Sequence, residues 1–184
     1  MRASNTSPFI ASLLTNLQRF YALLALLAAL CPLTGCAVPV TEGAIRAHLV
    51  QWEGYRLTAY RDGPRGWSVG IGHSLTSNME KVKRSAYTRA EIERFWAEDC
   101  SWAWDACRGG VERFDDLPQD IQLITLGVAF TCGRTGFARF VSFRRALGWR
   151  AFDLAATELA TSRWYAQVSA ARASTYVKTL REHL

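Results

Sequence analysis

The stretch EGYRLTAYRDGPRGWSVGIGH, Glu53 to His73, decides how the rest of the chain is read. Upstream of it, Ile45, Leu49 and Trp52 recur at helical spacing and Thr41 is placed to cap, so a helix is predicted from about Thr41 to Glu53. Gly54 lets the chain leave that helix and turn. Beyond it, Leu57 and Tyr60, the Asp62-Gly63-Pro64 turn and Trp67-Ser68-Val69 fit a small antiparallel sheet. Gly63, Gly66, Gly70 and Gly72 would be costly inside a helix but suit tight turns and close backbone approach.

Downstream the pattern becomes helical. Thr88 and Glu91 form a capping box, followed by Ile92, Phe95, Trp96, Ala103 and Ala106 on one side, which predicts a long helix ending near Gly109-Gly110. Leu117 to Phe130 is apolar on most faces, as the central helix of a bundle must be. Thr135-Gly136 opens a predicted helix carrying Phe137, Phe140, Val141 and Leu147 and ended by Gly148. Phe152 to Leu159 forms another, Ser162 to Tyr165 begins a turn, and Tyr176, Val177 and Leu180 lie on the last helix. The architecture is therefore α+β, with a small antiparallel sheet lobe (about 54–87) joined by a long helix to a helical bundle (about 110–184) and a cleft between them.

The 184 residues are 49% hydrophobic and 21% charged, which excludes a largely disordered or fibrous chain. The formal charge of +6 falls to +4 once Arg2 and Arg19 are set aside with the N-terminal segment. A modest positive charge suits an anionic partner such as a bacterial wall. The cations are dispersed, with no basic stripe interleaved with aromatics, so no nucleic-acid partner is expected.

Residues 1–36 read as a signal peptide or membrane-anchor segment. Phe20 to Cys31 (FYALLALLAALC) is an uncharged apolar run preceded by Arg2 and Arg19, and no acid occurs before Glu42. Leu33-Thr34-Gly35-Cys36 resembles a bacterial lipobox, which would make Cys36 a lipidation site. A signal-anchor like that of certain phage endolysins and an ordinary cleaved signal are the alternatives. All three export residues 37–184, and a periplasmic, membrane-anchored location is the expectation.

Of the remaining cysteines, Cys100 and Cys107 are seven residues apart, about 10 Å along a straight helix, too far to bridge. Any disulfide would join one of them to Cys132. His48, His73 and His183 are too separated for a local metal site, so neither metal nor cofactor is expected.

Glu53 at a helix end and Asp62 in the following hairpin can face each other across a groove. Cleaving a glycosidic bond needs such a pair, a protonated acid for the leaving oxygen and a carboxylate for water or the sugar cation. Ser68, in the returning strand, offers a hydroxyl that could orient the water.

Glu53-Gly54-Tyr55-Arg56-Leu57, Tyr60-Arg61-Asp62 and Gly66-Trp67-Ser68-Val69-Gly70-Ile71-Gly72-His73 resemble the active-site segment of the T-even type phage lysozymes, glycoside hydrolase family 24. Phe130-Thr131-Cys132-Gly133-Arg134-Thr135-Gly136 resembles that family's central-helix end, and Ser162-Arg163-Trp164-Tyr165-Ala166-Gln167 its C-terminal signature. The resemblance implies the two-lobed lysozyme fold and a monomeric endo-acting muramidase. Such an enzyme cleaves the β-1,4 bond between N-acetylmuramic acid and N-acetylglucosamine in peptidoglycan, with inversion.

By that resemblance Glu53 is the general acid, Asp62 the base-side carboxylate, and Ser68 replaces the family's threonine. Ser68 keeps the hydroxyl and loses the methyl that restricts its rotamer. Inversion implies a carboxyl separation of roughly 6.5–9.5 Å. His73 is expected to tie the lobe together by a salt bridge or hydrogen bond, and Trp164 to be structural rather than a sugar platform. Thr131 replaces a substrate-facing glutamine and Cys132 a methionine. Thr131, Arg163 and Gln167 are candidate substrate-binding residues. Arg172 is a candidate wall-peptide contact, with a solvated helix face as its alternative. Trp52 and Tyr55 are expected to supply an apolar wall that keeps Glu53 protonated. A catalytically silent wall-binding module and a lytic transglycosylase using Glu53 alone are the rival functions.

Overall fold

A computed structural model of the chain describes residues 40–62, 66–75, 82, 84 and 86–183, all within the unit spanning 37–184. The expected export segment with Cys36, and the expected turn at Gly63-Pro64, lie outside the described residues. Among the described residues there are seven α-helices and one three-stranded antiparallel sheet of order β1-β2-β3, an α+β architecture. None of the described helices is long and apolar enough to cross a membrane.

Helix α1 (Glu42–Glu53) starts where Thr41 accepts a hydrogen bond from the Ala44 N–H and stops at Gly54, which adopts a left-handed φ of 76°. Its Ile45 and Leu49 are buried, while Trp52 is only half-buried. The chain then forms β1 (Arg56–Asp62), β2 (Gly66–Gly70) and the short β3 (His73–Ser74). Tyr60 faces Ser68 and Asp62 faces Gly66 across the β1–β2 pair.

Helix α2 (Arg89–Gly110) opens with the reciprocal Thr88–Glu91 capping box, a feature that stabilises a helix start by about 1 kcal/mol. It is followed by a 3-10 turn (Phe114–Asp116) and by α3 (Gln119–Ala138), whose Ile121, Ile124, Leu126, Val128 and Ala129 are all buried. Helices α4 (Val141–Gly148), α5 (Phe152–Ala160), α6 (Arg163–Gln167) and α7 (Ala170–Arg181) complete the bundle.

Two expected elements differ. The helix predicted to run from Thr135 to Gly148 is broken where Phe140 leaves the helical region with ψ 52°, and its first residues instead belong to the end of α3, which kinks at Gly133 with a φ of 68°. Arg144 closes the break by donating to the Ala138 carbonyl at 2.7 Å. The result buries Phe137 and Phe143 and leaves Val141 50% exposed, so Val141 is not a core residue. The expected turn at Ser162 is a short helix, α6, because the Ser162 hydroxyl accepts from the Tyr165 N–H.

Side chains bury in two cores. The larger gathers Ile45 and Leu49 of α1 with α3 and the C-terminal helices. The smaller packs Val69 and Leu75 of the sheet region against Tyr87, Ile92 and Phe95. Helix α1 precedes the sheet in sequence but packs with the larger core. Glu53 thus extends from an element of the larger core and Asp62 from a strand whose Leu57 and Ala59 pack on the smaller one, with Gly54 between them in sequence and α2 contributing to both cores. Cys100, Cys107 and Cys132 are all free thiols. The structure therefore lacks the expected option of a bridge to Cys132.

Candidate active site

Glu53 is the last residue of α1, and its side chain is mostly buried. A β-carbon at Gly54 would meet nothing within 4 Å, so the glycine there serves the left-handed backbone rather than space. Gly72, at the β2–β3 turn, packs directly on the acid: a β-carbon on it would lie 3.4 Å from Glu53 Oε2 and 3.3 Å from the Phe130 ring. Phe130 of α3 and the Glu53 carboxyl group thus meet the same glycine, a neighbourhood that local sequence did not indicate.

Arg172 reaches Glu53 from α7. Its Nη1 donates to Glu53 Oε1 at 2.6 Å, its Nη2 to the Gly127 carbonyl at 3.2 Å, and its Nε to the Tyr176 hydroxyl at 3.3 Å. Only 4% of Arg172 is exposed. It is therefore neither a solvated helix face nor placed to greet wall peptide from the surface, and this corrects both expectations for it. Burying a guanidinium is tolerable because its donors meet a carboxylate, a carbonyl and a phenol.

Asp62 ends β1 and is exposed, and the Ser68 hydroxyl donates to its Oδ2 at 3.0 Å. Ser68 itself is buried. Close pairing of the two strands needs Gly66, because a β-carbon there would overlap the Asp62 carbonyl oxygen. Tyr60 shares this face of the hairpin and is a site residue that the sequence reading did not single out. Burial raises its phenol above the ordinary value, and the charges of Asp62 and Glu53 add to the shift, so the ring sits under the influence of both carboxylates. Its oxygen is also bonded to the Gly72 backbone.

The remaining expected residues fall into two places. Thr131, Arg163, Trp164 and Gln167 line one cavity of about 650 Å³ together with Cys132 and Arg139. Within it, the Thr131 hydroxyl donates back to the Gly127 carbonyl at 2.8 Å, which leaves only its oxygen to accept from a ligand. Trp164 is buried and stacks on Tyr176 with centroids 5.3 Å apart, and its indole N–H has no hydrogen-bond partner among the described residues. Away from the cavity, His73 Nδ1 bonds Asp99 Oδ2 at 2.8 Å and its ring stacks on Phe95 at 4.2 Å, joining β3 to α2. Among the described residues no three His, Cys, Asp or Glu side chains gather as metal ligands.

Two carboxylates, each held at one oxygen by a dedicated donor and both acting on Tyr60, are the kind of pair a glycosidase uses. Residues 50–180 match the family model for phage lysozyme, and the chain belongs to that family. Members are peptidoglycan-hydrolysing lysozymes, so the protein is a glycosidase of the lytic kind with the bacterial wall as its substrate.

Proposed function

We propose that the protein is an endo-acting muramidase that hydrolyses the β-1,4 bond between N-acetylmuramic acid and N-acetylglucosamine with inversion at the anomeric carbon. Glu53 is the general acid. Arg172 occupies Oε1, so the proton delivered to the glycosidic oxygen resides on Oε2. Asp62 is the base-side carboxylate: Ser68 occupies Oδ2, and Oδ1 takes the proton of the attacking water. Bond cleavage then leaves the leaving-sugar hydroxyl protonated by Glu53 and the new hemiacetal carrying the water oxygen. Thr131, Arg163 and Gln167 hold the substrate along the cavity beside Trp164. Residues 1–36 deliver the domain to the periplasm and, as a lipoprotein at Cys36 or a signal-anchor, keep it at the membrane as a monomer.

The observation that carries this reading is the matched treatment of the two acids, Arg172 on Glu53 and Ser68 on Asp62. The test is digestion of purified peptidoglycan by the full chain, wild type beside Glu53→Gln, with fragments identified by mass. Wild type is expected to release fragments with a free muramic acid reducing end, first as the α anomer, and Glu53→Gln to release none. Anhydro-muramic products would replace this reading with a lytic transglycosylase. Equal cleavage by both proteins, or none by either, would defeat it.

A further inference from the structure

The Arg172–Glu53 pair does not end at the guanidinium. Tyr176, one turn further along α7, is fully buried, and its hydroxyl accepts from Arg172 Nε at 3.3 Å and lies 2.6 Å from His48 Nε2 on α1. Two residues on α7 thus tie back to both ends of the last stretch of α1, at His48 and at Glu53.

Arginine can only donate, so the Tyr176 oxygen accepts from Arg172 Nε. Every group of the chain is paired when the phenol hydrogen goes to His48 Nε2 and the imidazole proton sits on Nδ1, the arrangement adopted here. A neutral ring is what its surroundings impose. Burial, and then the Arg172 charge, push His48 down to about 4. Beside it lies a cavity of about 200 Å³ lined by Gln51, Trp52, Asp120, Thr175 and Thr179. The carboxylate there, Asp120, is already engaged by His183 at 2.7 Å.

Packing alone does not account for this hydroxyl. The stack of Tyr176 on Trp164 and its edge contact with Trp52 would be served by phenylalanine. Instead α3 carries a glycine, the weakest helix former after proline, in the middle of its buried length. A β-carbon on Gly127 would overlap the Tyr176 hydroxyl oxygen and lie 3.0 Å from Cζ. The carbonyl of the same glycine receives Arg172 Nη2. The fold gives up helix propensity at the one point where the phenol and guanidinium both need room.

We infer that Tyr176, oriented by His48, is a positioning residue for the hydrolysis: it fixes Arg172, and through Arg172 the rotamer and proton-bearing oxygen of Glu53. This rests on Glu53 being the acid.

The test compares full-length wild type, Glu53→Gln and Tyr176→Phe on purified peptidoglycan across pH. Tyr176→Phe is expected to lower kcat about ten-fold with KM little changed, because a misplaced acid harms the chemical step rather than binding. With Arg172 less firmly held, the alkaline limb of its pH profile should move up by about half a unit. A Tyr176→Phe enzyme matching wild type in kcat and pH profile, beside an inactive Glu53→Gln, overturns this inference and leaves the muramidase reading intact. An active Glu53→Gln would instead remove that reading. If Tyr176→Phe does not fold, His48→Leu and His48→Gln decide. Leucine breaks the chain at its far end, and glutamine restores an acceptor and should recover most of the lost turnover. Equal rates for the two overturn the inference.

Discussion

The hydroxyl of Ser68, a buried residue of β2, donates its hydrogen to Oδ2 of Asp62 at the exposed end of β1, 3.0 Å away. The hydrogen spent on Asp62 cannot also be offered to a water, so in the proposed hydrolysis Ser68 bears on the attacking water through the carboxylate or through its own lone pairs. Ser68→Ala removes the only hydroxyl directed at Asp62 in this pair and frees the carboxylate to turn. Turnover on purified wall should fall about ten-fold, on the scale of one hydrogen bond to a charged group. Unchanged turnover would show that the strand alone orients Asp62.

Two helical glycines should respond oppositely to the same change. Gly109, near the end of α2, is exposed and a β-carbon there meets nothing within 4 Å, so Gly109→Ala should stabilise by about 0.5–1 kcal/mol. Gly127→Ala would drive a methyl into the Tyr176 phenol, and overpacking of this kind costs about 1–3 kcal/mol, more than the helix gains. Urea denaturation of both variants gives the sign of each.

The neutral state of His48 gives stability a pH dependence of definite sign. Its folded value of about 4 lies below the unfolded value of 6.5, so the unfolded chain binds the extra proton first. Its contribution is complete above about pH 6.5 and is lost as pH falls toward 4, where charging the ring would set it against Arg172. The melting temperature of His48→Gln should fall less than that of wild type across this window. Parallel curves would mean that His48 takes up its proton alike in the folded and unfolded chain.

The His73–Asp99 contact crosses from β3 to α2 and is partly buried on both sides. Asp99 also accepts from the Trp102 indole at 3.2 Å. Asp99→Asn keeps the shape but weakens both bonds, and a loss of about 1–3 kcal/mol in chemical denaturation is expected. Little change in kcat should accompany it, since neither residue touches the carboxylates.

Short-range chemistry made much of this molecule readable from its sequence. Thr41, Gly54 and the Thr88–Glu91 box mark their helix ends through contacts three or four residues long, and the glycine-rich run around Ser68 excludes a helix. Glu53 and Asp62 were visible through the resemblance of their surrounding motifs rather than through their spacing. What escaped lies in contacts that span the chain. Arg172 looked like a surface cation because nothing near it in sequence reveals Glu53, and His48 and Tyr176 gave no sign of each other. The break before α4 depends on Arg144 reaching back to Ala138, which hydrophobic spacing does not encode. One clue was present: Gly127, in the middle of the apolar stretch from Leu117 to Phe130, marks a close approach.

Gly54 separates the two acids in a further sense. Glu53 travels with the larger core and keeps Arg172 with it, whereas Asp62 travels with the sheet and keeps Ser68. The two halves still touch beyond that residue, since Gly72 lies against Glu53 and one helix, α2, lends Ile92 and Phe95 to the smaller core and Trp96 and Cys100 to the larger. A bulky side chain at position 72 would therefore wedge the acids apart while leaving each with its own partner.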